Sequence, residues 1–331
     1  MTMIHNSVVT AAGVGPGDSA PGYVRLFERG VLGVGGSDAR EFLQNLVSND
    51  VRRLDPTHAL YALLLTAQGK CLFDFFLADA PGADAATPIL IDVEAARLPD
   101  LLRRLTLYRL HAAVTLTDLS ARFAVAAVFG GDATQRLGLH GGDGAAAAFG
   151  DGIAFVDPRL AELGARVIAP AAAIDAALQG AGLTAKSAET YNAARIALGV
   201  PDGSHDLLVD KTLPLEAGLD ELHAIDYGKG CYVGQELTAR THYRGTIRKR
   251  LFRVDVDGPL PAPGTEVTFA GIASGDMRSG TGTSGLAMLR LEHVDEAARS
   301  GTPFHAGAST LRAVRPAWFA PPAAAATHPS A

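Results

Sequence analysis

Cys231 lies in Asp226-Tyr-Gly-Lys-Gly-Cys-Tyr-Val-Gly-Gln-Glu236, where one of the chain's two cysteines is crowded among three glycines and a lysine. A cysteine is commonly a small buried hydrophobe, but a packed core does not call for this company. Gly228, Gly230 and Gly234 lack a β-carbon, so the backbone can take positive φ and come close to a ligand or a strand. The pattern predicts a tight turn that opens a helix over residues 233–240, with Arg240 near its end to match the macrodipole. Cys231 then falls at or near the positive helix end beside Lys229. Both neighbours favour thiolate, the nucleophilic and metal-binding form. Cys71, inside an apolar strand, reads as structural.

Two carboxylates are further candidates. Asp74 interrupts Leu72-Phe-Asp-Phe-Phe-Leu77, where an acid is costly unless it is paired or faces a wet cavity; the plainer reading puts it on the solvent side of a hairpin. Glu216, between Pro214 and Gly218, is placed to present a carboxylate to a ligand, or to serve as a helix-start acid held by the dipole. The basic run His242-Tyr-Arg-Gly-Thr-Ile-Arg-Lys-Arg-Leu-Phe-Arg253 reads either as a solvated strand face or as a site for an acidic partner or phosphates.

Composition limits the classes. A net charge of −6 argues against binding nucleic acid by bulk electrostatics, although a local patch leaves tRNA open. With 48% hydrophobic and 19% charged residues the chain is globular, and long enough for two or three domains. Two distant cysteines, neither in a CxxC, exclude a disulfide framework and a cluster ligated by cysteines of this chain alone. No apolar run is long enough to span a bilayer, and no targeting signal is visible. The expected location is cytoplasmic, or the mitochondrial matrix if a presequence has been removed.

The elements that must position these residues follow. Residues 1–20 and 319–331 are small-residue and proline tails with little to bury, expected to be disordered. Strands are predicted near Val24 and Val31, then a helix capped by Ser37 with an apolar stripe of Phe42, Leu43, Leu46 and Val47. Residues 59–66 and 71–78 form a hairpin with Gly69 in its turn. An amphipathic helix spans residues 95–110, strands lie at 113–118 and 123–129, and a helix over 188–198 stops at Gly199. The alanine- and glycine-rich residues 130–152 read as a surface insertion with little intrinsic order. Regular Pro and Gly breaks after Gly245 predict a small all-β barrel over 246–318. The fold class is α+β with antiparallel sheets, the body occupying residues 21–245.

Lys229-Gly-Cys-Tyr-Val-Gly-Gln-Glu236, followed by Leu237-Thr-Ala-Arg-Thr-His-Tyr-Arg-Gly-Thr-Ile-Arg-Lys-Arg250, resembles the signature of the folate-binding YgfZ/GcvT-like family, above all the branch of the mitochondrial iron–sulfur assembly factor. Phe42-Leu-Gln-Asn-Leu-Val-Ser-Asn-Asp-Val51, Gln68-Gly-Lys-Cys-Leu-Phe-Asp-Phe-Phe76 and Leu107-Tyr-Arg-Leu110 resemble it too. The resemblance implies a GcvT-like three-lobed cloverleaf, two intertwined lobes plus the barrel, with tetrahydrofolate or a derivative in a central channel. It also implies assembly or repair of [4Fe–4S] proteins, with an A-type iron–sulfur carrier and client enzymes as partners. In that picture Cys231 faces the channel or ligates a shared iron–sulfur cluster and Lys229 supports its charge, while Asp74 would be the acid/base of a transferase related to that family. The cofactor contacts would be Glu216, Arg195, Tyr191, Gly228, Gly230, Tyr232, Gln235, Glu236, Arg240 and Arg248.

The chain departs from the related glycine-cleavage T-protein at two acids. Phe73-Asp74 stands where that protein has adjacent acids, and Arg195-Ile-Ala197 lacks its glutamate. Aminomethyl transfer is thereby the weaker expectation. The alternative kept open is a folate-dependent one-carbon transferase acting on a small molecule, a protein or tRNA.

Overall fold

The computed structural model describes residues 20–79, 89–245 and 247–319. The expected disordered tails therefore fall almost wholly outside the described residues. The fold is α+β. One mixed sheet runs in the order Thr184–Ala185, Gly22–Arg25, Phe123–Phe129, Ala165–Pro170, Gly152–Val156, Ala146–Phe149. A second, antiparallel sheet runs Leu60–Leu65, Cys71–Asp79, Ile89–Glu94, Arg29–Gly35, Thr115–Asp118. The first two strands of the chain enter different sheets, so the two halves of the body interleave.

Period-2 alternation explains why the central strand Phe123–Phe129 is apolar throughout. Phe123, Val125, Ala127 and Phe129 point into the cluster between the sheets with Tyr61 and Phe76, while Ala124, Ala126 and Val128 face an outer cluster with Ile174 and Leu178. This strand is buried on both faces, as a sheet covered on two sides requires, while the edge strands Thr115–Asp118 and Thr184–Ala185 are largely exposed. The segment 130–152 is not the loose insertion its composition suggests. It forms a helical turn, Ala133–Arg136, and the strand Ala146–Phe149, and Ala133, Leu137 and Leu139 are buried in the outer cluster. Small residues there let the segment lie close against a strand face that is itself mostly alanine.

Charged side chains tie the sheets together through the core. Asp92, fully buried, accepts from Arg29 Nε at 2.5 Å within its own sheet and from Arg166 Nη1 of the other sheet at 2.7 Å. Arg166 reaches on to Asp157 at 3.4 Å, and Asp157 also accepts from Arg159 at 2.8 Å. The Arg166 guanidinium lies 3.9 Å from the centroid of Phe76, with Arg159 at 5.0 Å. Cation–π contact on one ring keeps these cations solvated by aromatic density where water cannot reach.

The third unit is a closed barrel ordered Lys249–Asp257, Ser284–Arg290, Ile272–Thr281, Glu266–Phe269, Phe304–Ala306, Ser309–Val314. It is not all-β: the helix Leu291–Ser300 interrupts it. Leu291, Val294 and Ala297, spaced at i, i+3 and i+6, pack on the barrel core.

Candidate functional site

The helix after the glycine loop is Gln235–Arg244, later and longer than the spacing predicts. Gly234 at its N-cap is left-handed, φ 83°, and its neighbours leave no room for a side chain. A β-carbon there would stand 2.4 Å from the Thr66 carbonyl oxygen and 3.1 Å from Gly69 Cα. The loop is thus docked, glycine against glycine, on the turn of the 60–79 hairpin. Gly230 is also left-handed, φ 97°, but a β-carbon would meet nothing within 4 Å. Gly228, contrary to expectation, has no positive φ; its N–H donates to Asp226 Oδ1 at 2.7 Å. Gly234→Ala is therefore expected to cost about 2 kcal/mol or more, and Gly230→Ala only about 1, the strain of the backbone alone. Denaturant midpoints compare the two, with limited proteolysis at the loop as a second readout.

Cys231 is exposed and sits four residues before the first helical residue, so the helix terminus is not its immediate neighbour. Nor does Lys229 support it. The Lys229 side chain turns inward and donates from Nζ to the carbonyls of Gln44 and Val47, both at 2.5 Å, beyond the short helix Ala39–Gln44. It lies 5.0 Å from the Tyr232 ring centroid. Lys229 is a peg that seats the loop, and Cys231 projects from the seated loop.

Burial pushes Lys229 down from lysine's ordinary 10.5 to about 8, against the pull of Asp50 and Asp226. Between those values the unfolded chain holds a proton that the folded protein has released, so this residue's contribution to stability rises with pH. The cost of a charged buried ammonium is full below about 8 and gone above about 10.5. The stability of wild type minus that of Lys229→Met should therefore increase from about pH 7.5 to about pH 10. A flat difference in urea midpoints across that range would contradict it.

The remaining predicted residues do not converge. Tyr232 is buried, its hydroxyl pushed up to about 12 by desolvation, with no hydrogen-bond partner among the described residues. Gln235 is half-buried, and Glu236 and Arg240 are exposed along the helix. Asp74 is buried; its carboxylate accepts from the Tyr61 hydroxyl at 3.0 Å, and burial raises its pKa against the nearby Arg29. The solvent-side reading of Asp74 is thus overturned, because the hairpin is covered on both faces. Arg195 donates to Asp206 at 2.8 Å and to the Val200 carbonyl at 2.7 Å. Tyr191 packs on Phe129, ring centroids 5.6 Å apart, and accepts from Arg159 at 3.4 Å.

Glu216 lies in a short 3-10 turn, Pro214–Ala217, and faces Lys249 at 3.5 Å. With Arg248 it lines a cavity of about 490 Å³ between body and barrel. A separate cavity of about 350 Å³ opens where the two sheets and the segment 220–226 meet, lined by Asn49, Tyr61, His223 and Asp226 among others. His223 there holds a left-handed backbone, φ 59°, and its Nδ1–H donates to the Pro158 carbonyl at 3.1 Å. Sequence reasoning missed His223 and Asn49; nothing in a local window marks a histidine forced into that conformation. The residues assigned to folate by resemblance are thus divided among the core, the barrel seam and the loop. In the core Arg195 and Tyr191 are engaged by Asp206, the Val200 carbonyl and Arg159, while Arg195 Nε and the Tyr232 hydroxyl have no hydrogen-bond partner among the described residues.

Two sheets interleaved beneath a closed barrel define the aminomethyltransferase architecture. The glycine-cleavage aminomethyltransferase T of Bartonella henselae superposes with a TM-score of 0.73 over 92% of this chain and 88% of its own, at 16% identity. Residues 248–321 match the family model of CAF17, C-terminal beta-barrel domain. The chain is 35% identical over 285 residues to the human iron-sulfur cluster assembly factor IBA57, mitochondrial, covering 82% of this chain and 78% of the relative. The mouse protein of the same name is 33% identical over 292 residues, with the same coverage of 82% and 78%. The IBA57 homolog of Mycosarcoma maydis is 33% identical over 313 residues, 80% of this chain and 73% of the relative. The chain belongs to the IBA57 family of iron–sulfur cluster assembly factors. These relatives are named as mitochondrial, and among the described residues no helix is long and apolar enough to cross a membrane.

Proposed function

We propose that this protein acts in the assembly or repair of iron–sulfur proteins, with Cys231 contributing one thiolate to a cluster held jointly with an A-type carrier. The cluster is cargo, passed on to client enzymes. The observation that carries the reading is an exposed thiol on a loop anchored at both sides of it, by the Lys229 peg and by the Gly234 contact with Gly69. An anchored loop limits the conformational entropy lost when a partner's ligands close around the same metal. The thiol releases its proton to solvent as the iron–sulfur bond forms.

No step is routed through folate, and the one-carbon transferase alternative draws no support from the scattered Asp74, Arg195 and Glu216. Anaerobic mixing with a cluster-loaded carrier tests the reading: a stable one-to-one complex with altered cluster absorbance supports it. Elution of the two proteins apart, with the carrier spectrum unchanged, overturns it. Calorimetric titration with tetrahydrofolate in the same buffer reads folate binding separately from cluster transfer.

A further inference from the structure

The 3-10 turn Val51–Arg53 carries two adjacent arginines, and both reach the Cys231 loop. Arg53 lies 3.7 Å from Asp226, whose carboxylate accepts the Gly228 N–H at the loop's entry. Arg52 donates from Nη2 to the Lys229 carbonyl at 3.2 Å, two residues before the thiol. The same carbonyl accepts from Gln44 Nε2 at 3.2 Å, and the other end of that amide, Oε1, accepts the Val51 N–H at 2.7 Å. A carbonyl held by two donors fixes the peptide plane between residues 229 and 230, and with it the direction in which Cys231 leaves the loop.

Asp50 grips Arg52 by a fork, Nε at 2.7 Å and Nη2 at 2.8 Å. The carboxylate is the sheltered partner, 14% exposed, and the guanidinium the outer one, 65% exposed. The pair is therefore an oriented dipole with its positive end outward, against the Lys229 carbonyl two residues before the thiol.

We infer that Gln44 and Arg52 are positioning residues for Cys231, and that Arg52 gives the loop a preference for anionic cargo. A cluster ligated by thiolates carries net negative charge, so the assignment deepens the cluster reading of Cys231 and rests on it. Its test does not depend on cluster chemistry. Cys71 is buried, so alkylation of the native protein reads Cys231. Rates are compared for iodoacetamide, which is neutral, and iodoacetate, which is anionic, at low ionic strength.

Arg52→Gln should slow iodoacetate about two- to threefold relative to iodoacetamide, the effect of removing one unit charge from the loop's edge in water. Arg52→Lys should restore the ratio. Gln44→Met should raise amide exchange at residues 230 and 231 about fivefold, the loss of its one hydrogen bond to the loop, beyond any fall in the global unfolding midpoint caused by unpairing the Val51 N–H. Equal slowing of both reagents in Arg52→Gln, or wild-type exchange in Gln44→Met, would overturn the assignment. If the ratio falls as expected while Cys231→Ser still supports cluster transfer, the charge at the loop stands and the cluster reading is what fails.

Discussion

Cys231→Ser is expected to cut cluster transfer with an A-type carrier at least about tenfold, because a hydroxyl is a hard, weakly acidic ligand where iron in a cluster prefers soft thiolate. The unfolding midpoint should not move. The side chain is exposed, its loop is anchored through residues 229 and 234, and a surface substitution away from such anchors stays within about 0.5 kcal/mol. Activation of an apo client enzyme, measured anaerobically beside thermal unfolding of the same preparation, separates the two effects. Transfer at the wild-type rate would remove Cys231 from the mechanism. The companion Cys71→Ser should behave in the opposite way. Cys71 is 3% exposed in the central cluster, so a hydroxyl there costs about 1–3 kcal/mol while transfer by the folded fraction persists.

Asp92→Asn is expected to lower stability by about 3–5 kcal/mol, the range for breaking a buried ion pair on one side. Arg29 and Arg166 would be left without their shared carboxylate in the core between the sheets, and an amide cannot accept from both guanidinium groups as an anion does. Such a loss is a large share of a stability margin of about 5–15 kcal/mol, so reduced soluble yield should accompany the lowered urea midpoint. Asp100→Asn is the control. Its pairs with Arg103 and Arg104 are solvent-exposed, and such pairs contribute about 1 kcal/mol or less. Comparable losses in the two variants would mean that the buried chain of ion pairs does not hold the sheets together.

Much of the architecture was legible because it depends on short-range pattern. The 60–79 hairpin is written in two dense apolar runs around Gly69, and the helix Ala188–Ala197 in its period and its stop at Gly199. The barrel is written in its proline and glycine spacing, but its helix, Leu291–Ser300, was missed because its apolar stripe is only Leu291, Val294 and Ala297 in a short segment among turn-rich strands. Residues 130–152 were misread for a different reason. Alanine and glycine say little on their own, and only a facing surface of alanines turns them into core.

At the site, the sequence by itself determined that the 226–236 loop would be tight, that its cysteine was the one to watch, and which family it resembles. These follow from local chemistry: residue type, spacing and backbone permissiveness act within a few positions. The tertiary structure alone decided what the neighbours do. Lys229 stands two residues from Cys231 yet spends its ammonium on carbonyls at Gln44 and Val47, and Arg52 and Arg53, remote in sequence, are cations that reach the loop. A long side chain goes where burial leaves unpaired carbonyl oxygens, and those positions exist only after the chain has brought residues 44–52 against residue 229.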